Sequence, residues 1–333
     1  MDLLTLCSPA YLNALLSTRP GETKLGQNLQ LLDQFSAQAL LQAKANGARF
    51  ALLGISEDIG PRANLGQGGA DDSFAPAIRY FGNLQANRFF DGRQCLLVGD
   101  IRLPNSETSL DSLRDSVARL DEAVTEVITA LLNAGLEPVV IGGGHNNAFG
   151  LLRALAQSHG AGVAAVNLDP HCDFRPLEGR HSGNGFSYAA NQGYLSRYHV
   201  LGLHEQKNSE ASLAQLEAFG GSWHSFQDIW VRRRITLQQA LNDISAVNQS
   251  LPLGLELDLD AISELPSSAI TFAGVPLLDA CHYVSVMASQ CPCHYLHLAE
   301  SAPARHPAGV DAGRRVTGQA IAELLLAYMS ARP

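Results

Sequence analysis

The sequence predicts an α/β fold, with one large and mostly parallel sheet of about eight strands carrying helices on both faces. Three observations predict it. The apolar runs that read as strands do not alternate with polar residues, so both of their faces are buried, as in parallel sheets. Helical repeats fall between consecutive strands, the order that produces parallel neighbours. The 333 residues, 46% hydrophobic and 17% charged, suffice for one large core, and no Pro/Ser-rich linker divides them. A single domain over 1–333 is therefore expected.

Residues 1–48 read as a helical lead-in, because Leu29, Leu32, Phe35, Leu40 and Leu41 form an approximate helical stripe that Gly47 stops. A strand follows over 50–55. The glycines and Pro61 of 56–70 then predict a long irregular loop at a strand end, where function often sits, and this makes Arg62 and Asn64 candidate substrate contacts. A short helix is expected over 76–81 and a strand over 95–100. Leu110, Leu113, Val117, Leu120, Val124, Val127, Ile128 and Leu131 repeat at helical steps, with Ser109 as N-cap and Gly135 as stop. A strand over 138–141, a helix over 147–158 and a strand over 163–168 continue the alternation. Residues 174–188 are too polar and glycine-rich for a regular element and form the expected substrate loop. Later strands are expected at 198–204, 223–226, 253–260 and 294–299, with helices near 209–219, 236–248, 275–290 and 315–330.

The formal net charge of −9, dispersed along the chain, excludes a nucleic-acid backbone as partner, since that needs a basic surface. Six cysteines without a CxxC pair read as reduced thiols, and Cys291 and Cys293 around Pro292 read as a turn into a strand. No basic-then-apolar leader is present, and no apolar run approaches the ~18 residues that span a bilayer. No membrane partner and a cytoplasmic location are expected.

The chemistry collects where three of the strands run out. One ends in Gly142-Gly143-Gly144-His145, one in Asp169-Pro170-His171-Cys172-Asp173, and one in Asp258-Leu259-Asp260. If the strands continue extended, side chains two apart share a face, so Asp169, His171 and Asp173 point together, as do Asp258 and Asp260. In open α/β sheets ligands bind at the C-terminal edge of the strands, so the three ends can meet in one crevice. Four carboxylates packed without cations would repel and protonate, whereas two divalent ions neutralise them. Six ligands rich in hard oxygen, with only two imidazoles, suit Mn(II) better than Zn(II). Such a pair, roughly 3.5–4 Å apart, would acidify a bridging water and orient it for attack, which makes hydrolysis the expected reaction.

In that order, Gly-Gly-Gly-His145, Asp169-x-His171-x-Asp173 and Asp258-x-Asp260 resemble the three signatures of the ureohydrolase family, which includes arginases, agmatinases and formimidoylglutamases. The resemblance runs from the Gly60-Pro61-Arg62 loop to Glu300. It implies an arginase-like three-layer α/β/α sandwich, two Mn2+ per subunit, hydrolysis of an amidine or guanidino carbon, and a homo-oligomer. By the same resemblance His145 and Asp173 would bind one ion, His171 and Asp260 the other, and Asp169 and Asp258 would bridge. Asp173 would also receive the proton of the attacking water, and Glu300 would hold the amidinium. Ser182-Gly183-Asn184 resembles the amino-acid-binding loop of arginases. Phe186, however, stands where arginases carry a proton-shuttling histidine, which argues against that branch. Pro170 replaces an alanine common in the motif, and Glu256 stands where the family often has a small polar residue. Sharing a face with Asp258 and Asp260, Glu256 is either a further carboxylate near the metals or one held by a nearby cation.

Charge selects the substrate. Formimidoylglutamate carries two carboxylates besides its amidine, whereas agmatine carries none, so basic loops favour the former. Arg62 lies in one candidate loop, and Arg175, Arg180 and His181 lie with Ser182 and Asn184 in the other. The run from Asp173 to Phe186 also resembles the formimidoylglutamase branch most. The leading expectation is therefore a small anionic amidine, N-formimidoyl-L-glutamate, hydrolysed to L-glutamate and formamide in histidine degradation. An agmatinase or guanidino-acid hydrolase releasing urea is the alternative enzyme. A metal-binding pseudoenzyme sensing a small amine or amino acid is the alternative outside catalysis.

Overall fold

The computed structural model describes residues 2–103 and 108–332. The chain opens with β1 (Leu4–Leu6), α1 (Pro9–Leu15), β2 (Gln30–Leu31) and α2 (Ala37–Ala45). It continues with β3 (Phe50–Ser56), α3 (Ile59–Ala63), α4 (Phe74–Gly82), β4 (Cys95–Arg102), α5 (Leu110–Asn133) and β5 (Glu137–Ile141). The middle comprises α6 (Ala148–His159), β6 (Val163–Leu168), α7 (Gly185–Asn191), β7 (Leu195–Leu203), α8 (Glu210–Phe219) and β8 (Ser222–Ser225). Last come α9 (Leu237–Val247), β9 (Leu253–Asp258), α10 (Leu277–Gln290), β10 (Cys293–Ala299) and α11 (Val310–Ala331).

These strands make one sheet in the order β1-β4-β3-β5-β10-β9-β6-β7-β8, with β2 also on β4. Every pairing is parallel except β1 on β4. The pleat explains the layers. Along β3, Phe50 and Leu52 pack into a core shared with α4, α10 and α11, while Ala51, Leu53 and Ile55 pack into a second core shared with α2, α5 and α6. Burying both faces requires apolar residues at every position, hence strands without polar alternation. Helix α5 starts where Ser109 Oγ accepts Ser112 N–H at 3.2 Å, and its Leu113, Val117, Leu120, Val124 and Ile128 stripe is buried.

Three expectations are corrected. Among the described residues the sheet has ten strands rather than about eight, and the surplus is β1 and β2, three and two residues long, inside the lead-in expected to be helical. Strands so short carry no readable periodicity; they exist because β4 offers them an edge. The loop over 56–70 contains α3, and the loop over 174–188 runs into α7. Glycine at the start of α7 hid that helix; a Cβ at Gly185 would lie a tight 3.1 Å from the carbonyl oxygen of His145, so glycine eases this close approach.

What positions the site is the order of the four central strands, β5, β10, β9 and β6. From β5 the chain crosses through α6 to β6 and leaves two places between them, which β9 and β10 fill later. Each of these strands ends with one of the polar clusters, so sequence segments more than 100 residues apart share one edge of the sheet.

Candidate metal centre

The donors converge, but not by strand alternation. β6 stops at Leu168 and the chain turns: Asp169 Oδ1 accepts His171 N–H at 2.7 Å, and Asp173 takes a left-handed φ of 47°. β9 stops at Asp258, whose Oδ1 accepts Asp260 N–H at 2.8 Å and starts a single 3₁₀ turn. After β5, Gly142 and Gly143 have φ of 88° and 75°, a conformation glycine adopts without strain, and they swing His145 back over the sheet edge. Glu57, buried, clamps this turn by accepting from Gly144 N–H at 2.7 Å and Asn147 Nδ2 at 2.8 Å.

Among the described residues both ring nitrogens of His145, Nδ1 and Nε2, are buried without a hydrogen-bond partner. Nδ1 faces the carboxylates. It lies 3.2 Å from Asp173 Oδ2, 3.3 Å from Asp169 Oδ2 and 3.4 Å from Asp258 Oδ2. His171 Nδ1 lies 3.5 Å from Asp169 Oδ1 and 3.3 Å from Asp260 Oδ2. Two ligand sets result, His145/Asp169/Asp173/Asp258 and Asp169/His171/Asp260, in each of which the ligand atoms lie within 4.8 Å of one another. Asp169 joins them through its two oxygens. Asp258 is in the first set through Oδ2, and its Oδ1, like Oδ1 of Asp169, accepts a backbone N–H and keeps a lone pair free. A bare imidazole nitrogen facing three carboxylate oxygens is the arrangement a divalent cation fits, and both sets can hold one.

The electrostatics agree. Burial, then the charge of Asp169, pushes the Asp173 carboxyl up to about 6, and burial with Asp260 and Asp169 beside it raises Asp258. Burial also works against ionisation of Asp169, but the His145 and His171 rings outweigh it and hold that carboxyl at about 2. Glu300, at the end of β10 with a left-handed φ of 67°, accepts His145 N–H at 2.7 Å and the Ser268 hydroxyl, and burial pushes its carboxyl up to about 8.

Above these groups opens a cavity of about 570 Å³. His171, Asp173, Asp258, Asp260 and Glu300 line it, together with Asn64, Arg175 and Ser182 from the candidate loops. Asn64 Nδ2 donates to Ser182 Oγ at 3.3 Å, and Arg175 Nη1 donates to Asn64 Oδ1 at 3.0 Å. Four other candidates do not reach it. Arg180, 6% exposed, is bonded to Asp121 Oδ2 at 2.8 Å, Asp121 Oδ1 at 3.1 Å and Asn184 Oδ1 at 2.7 Å, and stacks on Phe149. Asn184 spends its amide on Pro176 and Gly179 carbonyls, and His181 Nδ1 accepts Gly183 N–H at 3.1 Å. Arg62 Nη1 lies 3.5 Å from Asp58 Oδ1, outside the lining. Arg180, His181 and Asn184 shape the loop that presents Arg175 and Ser182. Phe186 is likewise packing, stacked on Tyr198 at 4.3 Å and edge-on to His145 at 5.2 Å.

Sequence reading missed Lys207, Asn208, Glu178 and Ser268, all of which line the cavity. Lys207 was findable, since it follows β7 at the same edge of the sheet. Ser268 lies in a loop with no periodic signal.

Comparison with known proteins agrees with this geometry. The model described as the arginase family matches residues 48–326. Formimidoylglutamase of Streptococcus pyogenes serotype M3 is 31% identical over 241 residues, covering 69% of this chain and 70% of that protein. The crystal structure of formimidoylglutamase from Bacillus subtilis superposes with a TM-score of 0.77 at 18% identity, covering 95% of this chain and 93% of that one. Trypanosoma cruzi formiminoglutamase with Mn2+ superposes with a TM-score of 0.69 at 20% identity, covering 90% of this chain and 100% of that one. The fold is thus the arginase-like α/β sandwich, and the chain belongs to the arginase family.

Proposed function

We propose that this chain hydrolyses N-formimidoyl-L-glutamate to L-glutamate and formamide, with two Mn2+ per subunit held by His145, Asp169, Asp173, Asp258, His171 and Asp260. The observation that carries the reading is a cavity whose floor is this donor cluster and whose lysine and arginine lining is Arg175 and Lys207. Bound ions would supply a water acidic enough to attack an amidine at neutral pH. The residues do the rest. Glu300, set at the cavity wall by His145 N–H and Ser268, orients the amidinium, and Asp173 takes the proton of the attacking water and passes it to the leaving nitrogen. Arg175, whose Nη2 also donates to Glu178 Oε1 at 3.0 Å, and Lys207 take the two carboxylates of the substrate. Lys207 is suited to this because its ammonium bonds only the Thr271 hydroxyl and no carboxylate among the described residues. The relatives' names favour the same amidine. Incubating the Mn2+-loaded chain with N-formimidoyl-L-glutamate, agmatine and guanidino acids, and measuring formamide and urea, tests the proposal; urea without formamide refutes it.

The same reading makes the protein a cytoplasmic homo-oligomer. Among the described residues no helix is long and apolar enough to cross a membrane. Light scattering on the purified chain checks the assembly.

A further inference from the structure

One carboxylate near the centre is not aimed at the cavity. Glu256 lies in β9, two residues before Asp258, and is fully buried. Its strand neighbours are Asn167 on β6 and His297 on β10, each in register with it. These three sit one pleat below the strand ends and form a buried polar tier across β6, β9 and β10, with Tyr295 and Tyr198 beside it. Tyr295 donates its hydroxyl to Glu256 Oε1 at 2.6 Å, and His297 Nδ1 lies 2.7 Å from Oε2. The remaining approach to Oε2 comes from His145 Nε2, at 3.4 Å.

His145 thus stands between two sets of oxygens. Nδ1 faces Asp169, Asp173 and Asp258, and Nε2 faces Glu256. A neutral imidazole carries one proton, and only a nitrogen without it can bind a metal. A carboxylate that accepts the Nε2 proton leaves Nδ1 bare and turned to the centre, and Glu256 Oε2, 3.4 Å away, is the carboxylate oxygen on that side of the ring, which Phe186 and His297 meet edge-on. The same spacing would also admit an ion between His145, Glu256 and His297. Both Glu256 oxygens, however, already accept from Tyr295 and His297, so the group reads as an anchor.

We propose that Glu256 is a positioning residue for the metal centre: held by Tyr295 and His297, it fixes the tautomer and orientation of His145 and thereby sets the affinity of one of the two metal sites and not of the other. The inference rests on the two-metal reading above. Second partners of this kind are worth roughly 10–100-fold in metal affinity. Asn167 serves Asp169 similarly, donating to Oδ2 at 2.9 Å, but Asp169 belongs to both sites and so offers no selectivity.

The test is Mn2+ titration of the metal-stripped full chain by calorimetry, with electron paramagnetic resonance on the same samples. Wild type is expected to bind two ions and show the spectrum of an exchange-coupled pair. Glu256→Gln is expected to keep one site unchanged and to bind at the other about 10–100-fold more weakly. At one equivalent of Mn2+ its spectrum should be that of isolated ions. Two unchanged affinities in Glu256→Gln, equal weakening of both, or a third ion in wild type that the variant loses would overturn the inference. Wild type that takes up no Mn2+ would instead remove the parent reading, and this one with it. Should Glu256→Gln not fold, Tyr295→Phe keeps the ring and removes only the hydroxyl on Oε1; selective weakening of one site supports the role, and unchanged affinities refute it.

Discussion

Arg180 separates a loop that binds substrate from a loop that is merely held in shape. In Arg180→Met the side chain keeps most of its volume, but Asp121, 2% exposed, loses a bidentate partner at 2.8 and 3.1 Å. Asn184 Oδ1 and the Asn146 carbonyl lose donors at 2.7 and 2.9 Å. Removing one partner of a buried ion pair costs about 3–5 kcal/mol, chiefly the uncompensated charge left behind. With an unfolding entropy near 2.1 cal/mol/K per residue, about 0.7 kcal/mol per kelvin for 333 residues, Tm should fall by about 4–7 °C. The loss should depend on pH. Burial, opposed by Arg180, already places the Asp121 carboxyl at about 6, and without Arg180 it rises further. For an acid whose folded pKa is raised, stability is fully present below the unfolded pKa and is lost as pH rises through the folded one. The variant should therefore lose less at pH 5 than at pH 8, where the orphaned charge must be carried. Differential scanning fluorimetry at both values, with KM on the folded variant, decides the matter. A KM raised about tenfold or more with an unchanged Tm would place Arg180 at the substrate and refute its assignment as scaffold.

Lys207→Met should raise KM for the dicarboxylate amidine by about 10–100-fold, the loss of one charge-assisted hydrogen bond, and leave kcat nearly unchanged; an unchanged KM removes Lys207 from recognition. Glu300→Gln should lower kcat/KM by about 10²-fold or more while sparing Mn2+ binding, measured by initial rates and metal analysis. Chelation should abolish turnover and added Mn2+ restore it, with a stabilisation of about 2.7 kcal/mol at one hundred times the dissociation constant, read by thermal shift. That shift should grow from pH 5 to pH 8. Asp173, near 6, and the raised Asp258 make the metal-free protein lose stability as pH rises through their folded values, and bound cations relieve that cost. A shift independent of pH would contradict the carboxylate assignment.

Eight of the strands, their parallel sense and the place of the donors are legible in the residues alone. An unbroken apolar run ending in Asp, His or Glu is legible because burial on both faces allows no polar residue until the strand ends. The sequence did not determine how those donors meet. Asp169 to Asp173 looked like an extended run, yet the carboxylates cap the next backbone amides and turn the chain, a local hydrogen bond that residue spacing does not encode. Nor did charge reveal which cation serves which anion. Arg175 and Arg180 are five residues apart in one loop; one lines the cavity and the other is taken by Asp121 from α5, a partner 59 positions away. The role of Glu256 was hidden for the same reason, because its neighbours Tyr295, His297 and His145 come from other strands and loops. Tertiary structure alone decided these points, since a buried charge is defined by whatever is folded against it.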